Sequence, residues 1–244
     1  MPFDKNKEFG ITGLFNLNYD VFSNKLSYLG NHFLEIGPGA NFNTISRLKQ
    51  NNKKISVLDN FIIGNKSPTH RKPVLCSISP YPNVDNFLYG DLFLADGKTV
   101  KLVPGIDVIY SVGAIGCQVG NFTVDRTGDL KKIPESVEKI DLFKPEHIVL
   151  IPPRYCSVSN PKKISLTDFV WDSKIQNKLV EELKKKNYSV ECGFCSLEDL
   201  LDFAKEKYGK FRKYNSISEN FDKTKEFLEE KIGNAIISVI HAKK

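Results

Sequence analysis

Residues 33–39 read Phe-Leu-Glu-Ile-Gly-Pro-Gly, and a second short apolar run, Ile55-Ser-Val-Leu-Asp59, also ends in an acid. Between the two lies a segment with Phe42, Ile45 and Leu48 at helical spacing, which predicts a helix over Asn41–Gln50 capped by Asn41 or Asn43. A buried strand that delivers an acid and two glycines into a turn, then a helix, then a strand ending in an acid constrains the fold sharply. It is a βαβ unit with its functional end at the carboxyl ends of the strands.

The rest of the chain continues the alternation. Strands are expected at Asn86–Tyr89, Ile106–Tyr110, His147–Ile151, Tyr188–Glu191 and Ala235–Ile240, and helices at Asn24–Leu29, Pro134–Leu142, Asp172–Lys186 and Leu197–Tyr208. The helix over Asp172–Lys186 carries Ile175, Leu179, Val180 and Leu183 on one face, with lysines at its C-terminal end. Prolines at 68, 73, 80 and 82 make residues 60–86 a long loop, and residues 113–130 are Gly-rich and irregular. With 244 residues the chain can bury one large core, so residues 1–244 are expected as one domain, 1–30 as a flap or edge segment and 31–244 as the core.

Composition removes several alternatives. The longest apolar runs, near Ile148–Pro153 and Ala235–Ile240, fall far short of the ~20 residues of a membrane span. Met1–Glu8 lacks a basic-then-apolar leader pattern, and five scattered cysteines do not resemble a disulfide framework, so a reducing, cytoplasmic setting is expected. The net charge of +6 comes from lysines interleaved with acids, as in Lys225-Glu-Phe-Leu-Glu-Glu-Lys231, which reads as solvated helix surface. A concentrated basic stripe with interleaved aromatics is missing, so nucleic acid is not the expected partner. A homodimer is left open.

The glycine turn carries the chemistry. Gly37 and Gly39 permit positive φ and close approach of backbone to a ligand, and a helix N-terminus after them offers N–H groups. The third position of a dinucleotide fingerprint is Phe42, too large for close helix–strand packing, and the Gly-Lys-Ser/Thr of a phosphate loop is missing. Glu35 would repel a pyrophosphate and suits a cationic ligand. Asp59 stands at the strand end where ribose hydroxyls are held, and Asp91 ends the next strand within reach of an adenine amino group.

This set resembles the class I S-adenosylmethionine-dependent methyltransferases. Glu35-Ile-Gly37-Pro-Gly39-Ala-Asn41 follows their E/D-x-G-x-G-x-G loop, with Asn41 in place of the third glycine. Tyr89-Gly-Asp-Leu92, Ile106-Asp-Val-Ile-Tyr-Ser111 and Leu142-Phe-Lys-Pro-Glu-His-Ile-Val-Leu150 resemble the family's later motifs. The resemblance spans roughly residues 31–244 and implies a Rossmann-like three-layer α/β/α sandwich with a mostly parallel seven-stranded sheet and an antiparallel last strand. It implies S-adenosylmethionine as cofactor, S-adenosylhomocysteine as product, and Glu35, Gly37, Pro38, Gly39, Asp59, Asn60, Asp91, Leu92 and Ser111 as the residues that bind them.

Methyl transfer from a sulfonium is an in-line displacement, and a general base is needed only when the acceptor must lose a proton. No residue is assigned as catalytic on sequence grounds. His70, beside Arg71 and Lys72, is a base or an anion holder if it has a role, and Tyr110, Ser111 and Gln118 follow the fourth strand, where cofactor and acceptor meet in this family. His32, His147 and His241 are read as structural. Cys192-Gly-Phe-Cys195 has metal spacing without a second pair, so no metal is expected. Ile151-Pro-Pro-Arg-Tyr155 departs from the D/N/S-P-P-Y/F motif of base-methylating enzymes in position, first residue and the inserted Arg154. The expected activity is methyl transfer to a small molecule, with residues 1–30, 60–86 and 111–130 shaping the acceptor site. The alternatives are an inactive binding or regulatory protein, suggested by Asn41, and a nucleic-acid methyltransferase, suggested by the basic charge.

Overall fold

Apolar runs too short for helices and rich in β-branched residues form the sheet, and amphipathic stretches between them cover its two faces. The computed structural model describes residues 5–12, 16–38, 42–60, 70–115, 126–152, 166–196 and 235–244. In chain order these form α1 (Lys5–Glu8), β1 (Ile11–Thr12), β2 (Asn16–Leu17), α2 (Tyr19–Ser27), β3 (His32–Ile36), α3 (Asn43–Gln50), β4 (Lys54–Asp59), β5 (Val74–Cys76) and β6 (Asn86–Tyr89). They continue with a 3₁₀ turn (Leu92–Leu94), α4 (Gly97–Leu102), β7 (Val108–Val112), α5 (Arg126–Asp141), β8 (His147–Ile151), α6 (Leu166–Lys185), β9 (Ser189–Ser196) and β10 (Ala235–Lys243).

Eight of the described strands form one sheet in the order β5-β6-β4-β3-β7-β8-β10-β9, and β1 and β2 form a separate hairpin. The β6–β4, β4–β3, β3–β7 and β7–β8 pairs are parallel, and β10 runs antiparallel to both β8 and β9. The architecture is therefore the expected Rossmann-like α/β/α sandwich with a reversed last strand. The sheet has one strand more than the seven expected: β5 lies antiparallel along the edge beside β6. Three residues immediately after Pro73 are too few to carry a strand period, and a tertiary contact holds them there. A Cβ on Gly90 would fall on the Cα and nitrogen of Pro73, so only glycine lets the loop backbone lie so close to the end of β6.

Each face of the sheet has its own core. One contains Phe9, Phe22 and Leu26 from the N-terminal segment, Ile45 and Leu48 from α3, and Phe33, Val57, Phe87, Tyr110 and Val149 from the strands. The other contains Leu34, Ile36, Ile109 and Leu150 against Ile133, Val137 and Ile140 of α5 and Leu179 and Leu183 of α6. Residues 1–30 were expected as a flap or edge segment; of the described part, Phe9, Phe22 and Leu26 are fully buried in the first core. α2 begins at Tyr19 rather than Asn24 because Asn18 caps it, accepting bonds from the N–H groups of Asp20 and Val21.

The helix expected from Pro134 begins at Arg126 and accommodates Pro134 inside it, and α4 was not anticipated. α3 starts at Asn43, and its N-cap is Phe42, whose side chain caps nothing. Asn41 and the expected helix Leu197–Tyr208 lie outside the described residues. Cys192 packs against the second core and Cys195 lies in the first, so this pair sits on opposite faces of β9 and cannot share a metal ion.

Candidate functional site

The strand order reverses direction at β3, whose neighbours are β4 on one side and β7 on the other. Such a switch point opens a crevice at the carboxyl ends of the strands. Glu35 on β3, Asp59 at the end of β4 and Asp91 just past β6 all reach this end, on three strands that are neighbours in the sheet. Gly37 follows β3 with φ +65°, donates its N–H to the Leu58 carbonyl at 2.9 Å, and would carry a Cβ only 2.6 Å from that of Ala114. A side chain there would both strain the turn and push away the loop after β7. Pro38 and Asn60 are partly buried beside this turn, and Gly39 lies outside the described residues.

Side-chain alternation sets which acids share a face. Glu35 pairs with Val57 across β3–β4 and with Tyr110 across β3–β7, and Asp59 is two residues beyond Val57. Glu35, Asp59 and Tyr110 therefore project to the same side of the sheet as the first core. The Tyr110 hydroxyl donates to Glu35 Oε2 at 2.6 Å, and the Tyr81 hydroxyl donates to Asp59 Oδ2. Tyr81, flanked by Pro80 and Pro82 in the loop before β6, packs edge-on against Phe42 at 5.4 Å and Phe87 at 5.5 Å. Two nearly buried carboxylates, with Glu35 at 3% and Asp59 at 4% exposure, thus sit under an aromatic layer.

Burial pushes the Glu35 carboxyl up to about 8; the Tyr110 hydrogen bond works against this shift and the neighbouring Asp59 charge adds to it. Burial also raises the Tyr110 and Tyr81 phenols above their ordinary range, and the adjoining carboxylates reinforce this, so both remain donors. Asp91 accepts from the Phe93 N–H at 3.0 Å and lies 3.1 Å from His70 Nδ1. Leu92 is buried beneath it in the second core. Ser111 is also buried, and its hydroxyl donates to the Ile36 carbonyl at 2.9 Å, where it joins β7 to the start of the glycine turn.

His70 is the histidine the fold brings to this crevice. His32 is buried between the Gly105 carbonyl and Ser56 Oγ, and His147 lies against His241, both at the opposite end of the sheet. Gln118 and residues 153–155 lie outside the described residues. Sequence reasoning did not single out Tyr81. Its only signal is an aromatic residue between two prolines, and its role depends on a contact with a residue 22 positions earlier. Among the described residues no group of three His, Cys, Asp or Glu side chains is placed to hold a metal ion, and no helix is long and apolar enough to cross a membrane.

The acids at this end suit a cationic ligand. Carboxylates and aromatic faces attract a sulfonium or ammonium, and an acid pair repels a pyrophosphate as soon as either member is ionised. No protein-family model matches the chain, and no curated protein sequence matches it significantly. Solved structures of similar architecture include a SAM dependent methyltransferase from Archaeoglobus fulgidus, at 14% identity over 98% of each chain with a TM-score of 0.48. Another is the [4+2]-cyclase SpnF, at 10% identity over 92% of this chain and 81% of that one, with a TM-score of 0.47. A third is phosphoethanolamine N-methyltransferase 2 of Haemonchus contortus with phosphomonomethylethanolamine and S-adenosylhomocysteine, at 11% identity with a TM-score of 0.44. The match covers 88% of this chain and 49% of that one, so the chain spans about half the length of the Haemonchus enzyme. At these levels the fold assignment stands on the strand order: a mostly parallel sheet with a reversed last strand, a Rossmann-like architecture.

Proposed function

We propose that this chain is an S-adenosylmethionine-dependent methyltransferase acting on a small-molecule acceptor. One observation carries the reading: Glu35, Asp59 and Asp91 converge from three adjacent strand ends around the turn made by Gly37. Glu35 and the turn would hold the methionine portion of the cofactor, Asp59 and Asn60 the ribose, and Asp91 and Leu92 the adenine. When bound, the cofactor supplies a methyl group on a positively charged sulfur. The chain aligns the acceptor lone pair opposite the departing sulfur and excludes water, which suffices for an in-line displacement. His70, on the rim beside Asp91, is the candidate to take a proton from an acceptor that must lose one.

Calorimetric titration with S-adenosylmethionine tests this reading. Binding is expected in the wild type and is expected to be lost in Asp59→Ala; no binding by the wild type, or equal binding by both, overturns it. A second reading, a protein that binds the cofactor without turnover, is favoured by the Tyr81 hydroxyl already lying on Asp59, where it competes with ribose hydroxyls. Under that reading Tyr81→Phe tightens cofactor binding, and neither protein transfers a labelled methyl group to any acceptor in a metabolite extract.

A further inference from the structure

Glu35 receives a phenol hydroxyl from Tyr110, and Asp59 receives one from Tyr81. A phenol satisfies a lone pair and leaves the charge in place. Glu35 and Asp59 are diagonal neighbours across the β3–β4 pair and project to the same face. Like charges at such spacing, both nearly excluded from water, disfavour double ionisation, so one of the pair keeps its proton when the crevice holds no ligand. Glu35 lies mid-strand between Val57 of β4 and Tyr110 of β7, both members of the first core, whereas Asp59 ends its strand.

We propose that Glu35 releases a proton when a cationic ligand enters the crevice, so that the pocket exchanges one positive charge for another. This rests on the cofactor reading above and deepens it. The proton leaves the Glu35 carboxyl for solvent, the carboxylate that remains faces the incoming positive charge, and no covalent bond to the ligand forms. Among the described residues the titratable groups facing Glu35 are Tyr110 on β7, Asp59 on β4 and Tyr81 in the loop before β6, and both phenols stay protonated throughout the range in which Glu35 titrates. The raised Glu35 carboxyl, at about 8, places the exchange near neutral pH.

The exchange gives the chain a means to tell substrate cofactor from product. S-adenosylmethionine carries a sulfonium, and S-adenosylhomocysteine a neutral thioether. Deprotonated Glu35 favours the first, and neutral Glu35 makes little distinction. Selectivity for the charged form is thus expected to rise with pH and to level off once Glu35 is ionised.

The test is calorimetry on the full chain in two buffers of different ionisation enthalpy, phosphate and Tris, with each ligand between pH 6 and pH 9. In the wild type, S-adenosylmethionine is expected to release up to about one proton near pH 7 and almost none near pH 9, with affinity rising by up to tenfold per unit below pH 8. S-adenosylhomocysteine is expected to give a shallower slope. Glu35→Gln removes both the release and the slope. Tyr110→Phe keeps the carboxyl but removes the bond that favours its charge, and so moves the curve to higher pH. Binding of S-adenosylmethionine by the wild type without proton release, or equal release by Glu35→Gln, overturns the exchange and leaves the cofactor reading intact. Absence of binding by the wild type at every pH overturns the cofactor reading and the exchange with it.

Discussion

The two ends of the parallel strands treat their acids in opposite ways. At the carboxyl end, Glu35 and Asp59 are held by phenol hydroxyls and Asp91 by an imidazole and a backbone N–H. At the amino end, Asp107 accepts the N–H groups of Asn31 and His32 at 2.8 and 2.9 Å, and Asp85 holds Lys49 at 2.9 Å and the Ile55 N–H at 2.7 Å. Asp141 receives Lys144 at 2.7 Å, Lys244 at 2.8 Å and Tyr188 at 3.0 Å. Burial alone would raise the pKa of Asp141, yet these three hydrogen bonds bring it below its ordinary value. Burial by contrast prevails at Glu35. Asp85 and Asp141, paired with lysines inside the fold, are struts, and Asp107 ties two strand ends together through backbone N–H groups. Glu35, held by a phenol, keeps its attraction for an outside cation, which an acid already paired with two lysines, such as Asp141, has lost.

Exchanging the two kinds of acid for alanine is the strongest way to break this contrast. Asp59→Ala is expected to weaken S-adenosylmethionine binding by about a hundredfold or more while the protein stays folded, because it removes a charge-assisted ribose contact. Asp141→Ala is expected to leave binding unchanged and to cost about 1–2 kcal/mol of stability, because the buried Tyr188 hydroxyl keeps only its long bond to the Pro145 carbonyl and two solvent-accessible lysines lose their partner. Paired calorimetric titrations and denaturant melts read both effects, and a binding loss in Asp141→Ala would erase the distinction.

Gly90→Ala probes how the carboxyl end is built. Its Cβ meets the Pro73 backbone, so β5 must detach, with an expected cost of about 2–3 kcal/mol and faster hydrogen exchange confined to residues 74–76 and 86–89.

Stability against pH sharpens the comparison further. An acid whose pKa rises from 4.5 to about 8 on folding binds more protons folded than unfolded, so its contribution is present below 4.5 and is lost as pH climbs through 8. Glu35→Gln is therefore expected to gain about 4 kcal/mol relative to the wild type between pH 5 and pH 9, by denaturant melts.

The amino end behaves in the reverse sense and more weakly. His241 lies 3.1 Å from both His147 and Lys5 Nζ, and burial, then Lys5 and His147, lower its pKa to about 4. A histidine lowered from 6.5 favours the neutral form in the fold, so stability is lost as pH falls from 6.5 towards 4. His241→Asn is expected to remove about 1 kcal/mol of that acid sensitivity, visible in melts at pH 5 against pH 7.

Much of the scaffold was legible in the sequence because its strands are fully buried apolar runs bounded by turns. Phe33–Ile36, Ile55–Leu58, Asn86–Tyr89 and His147–Ile151 each stand within one residue of the observed strands. What escaped notice depends on contacts made at a distance. β5 is three residues long and exists because Gly90 admits Pro73; the N-terminal half of α5 was hidden by Gly128 and Pro134, which local propensity counts against a helix. The positions of Glu35, Asp59 and Asp91 at the strand ends were legible from the apolar runs that precede them. Their tyrosine partners were not, since Tyr81 finds Asp59 through the fold of a proline-rich loop and Tyr110 finds Glu35 across a strand pair.

The place of β10 in the sheet also governs how the molecule is made. β10 lies between β8 and β9, although both precede it in the chain. During synthesis β9 emerges with its partner not yet made, and the gap beside β8 stays open until residues 235–243 arrive to fill it. A nascent chain therefore exposes two unpaired strand edges after β9 is made, when the strands from β3 to β8 can already pair, and these edges are open to pairing with other chains until residues 235–243 insert between them.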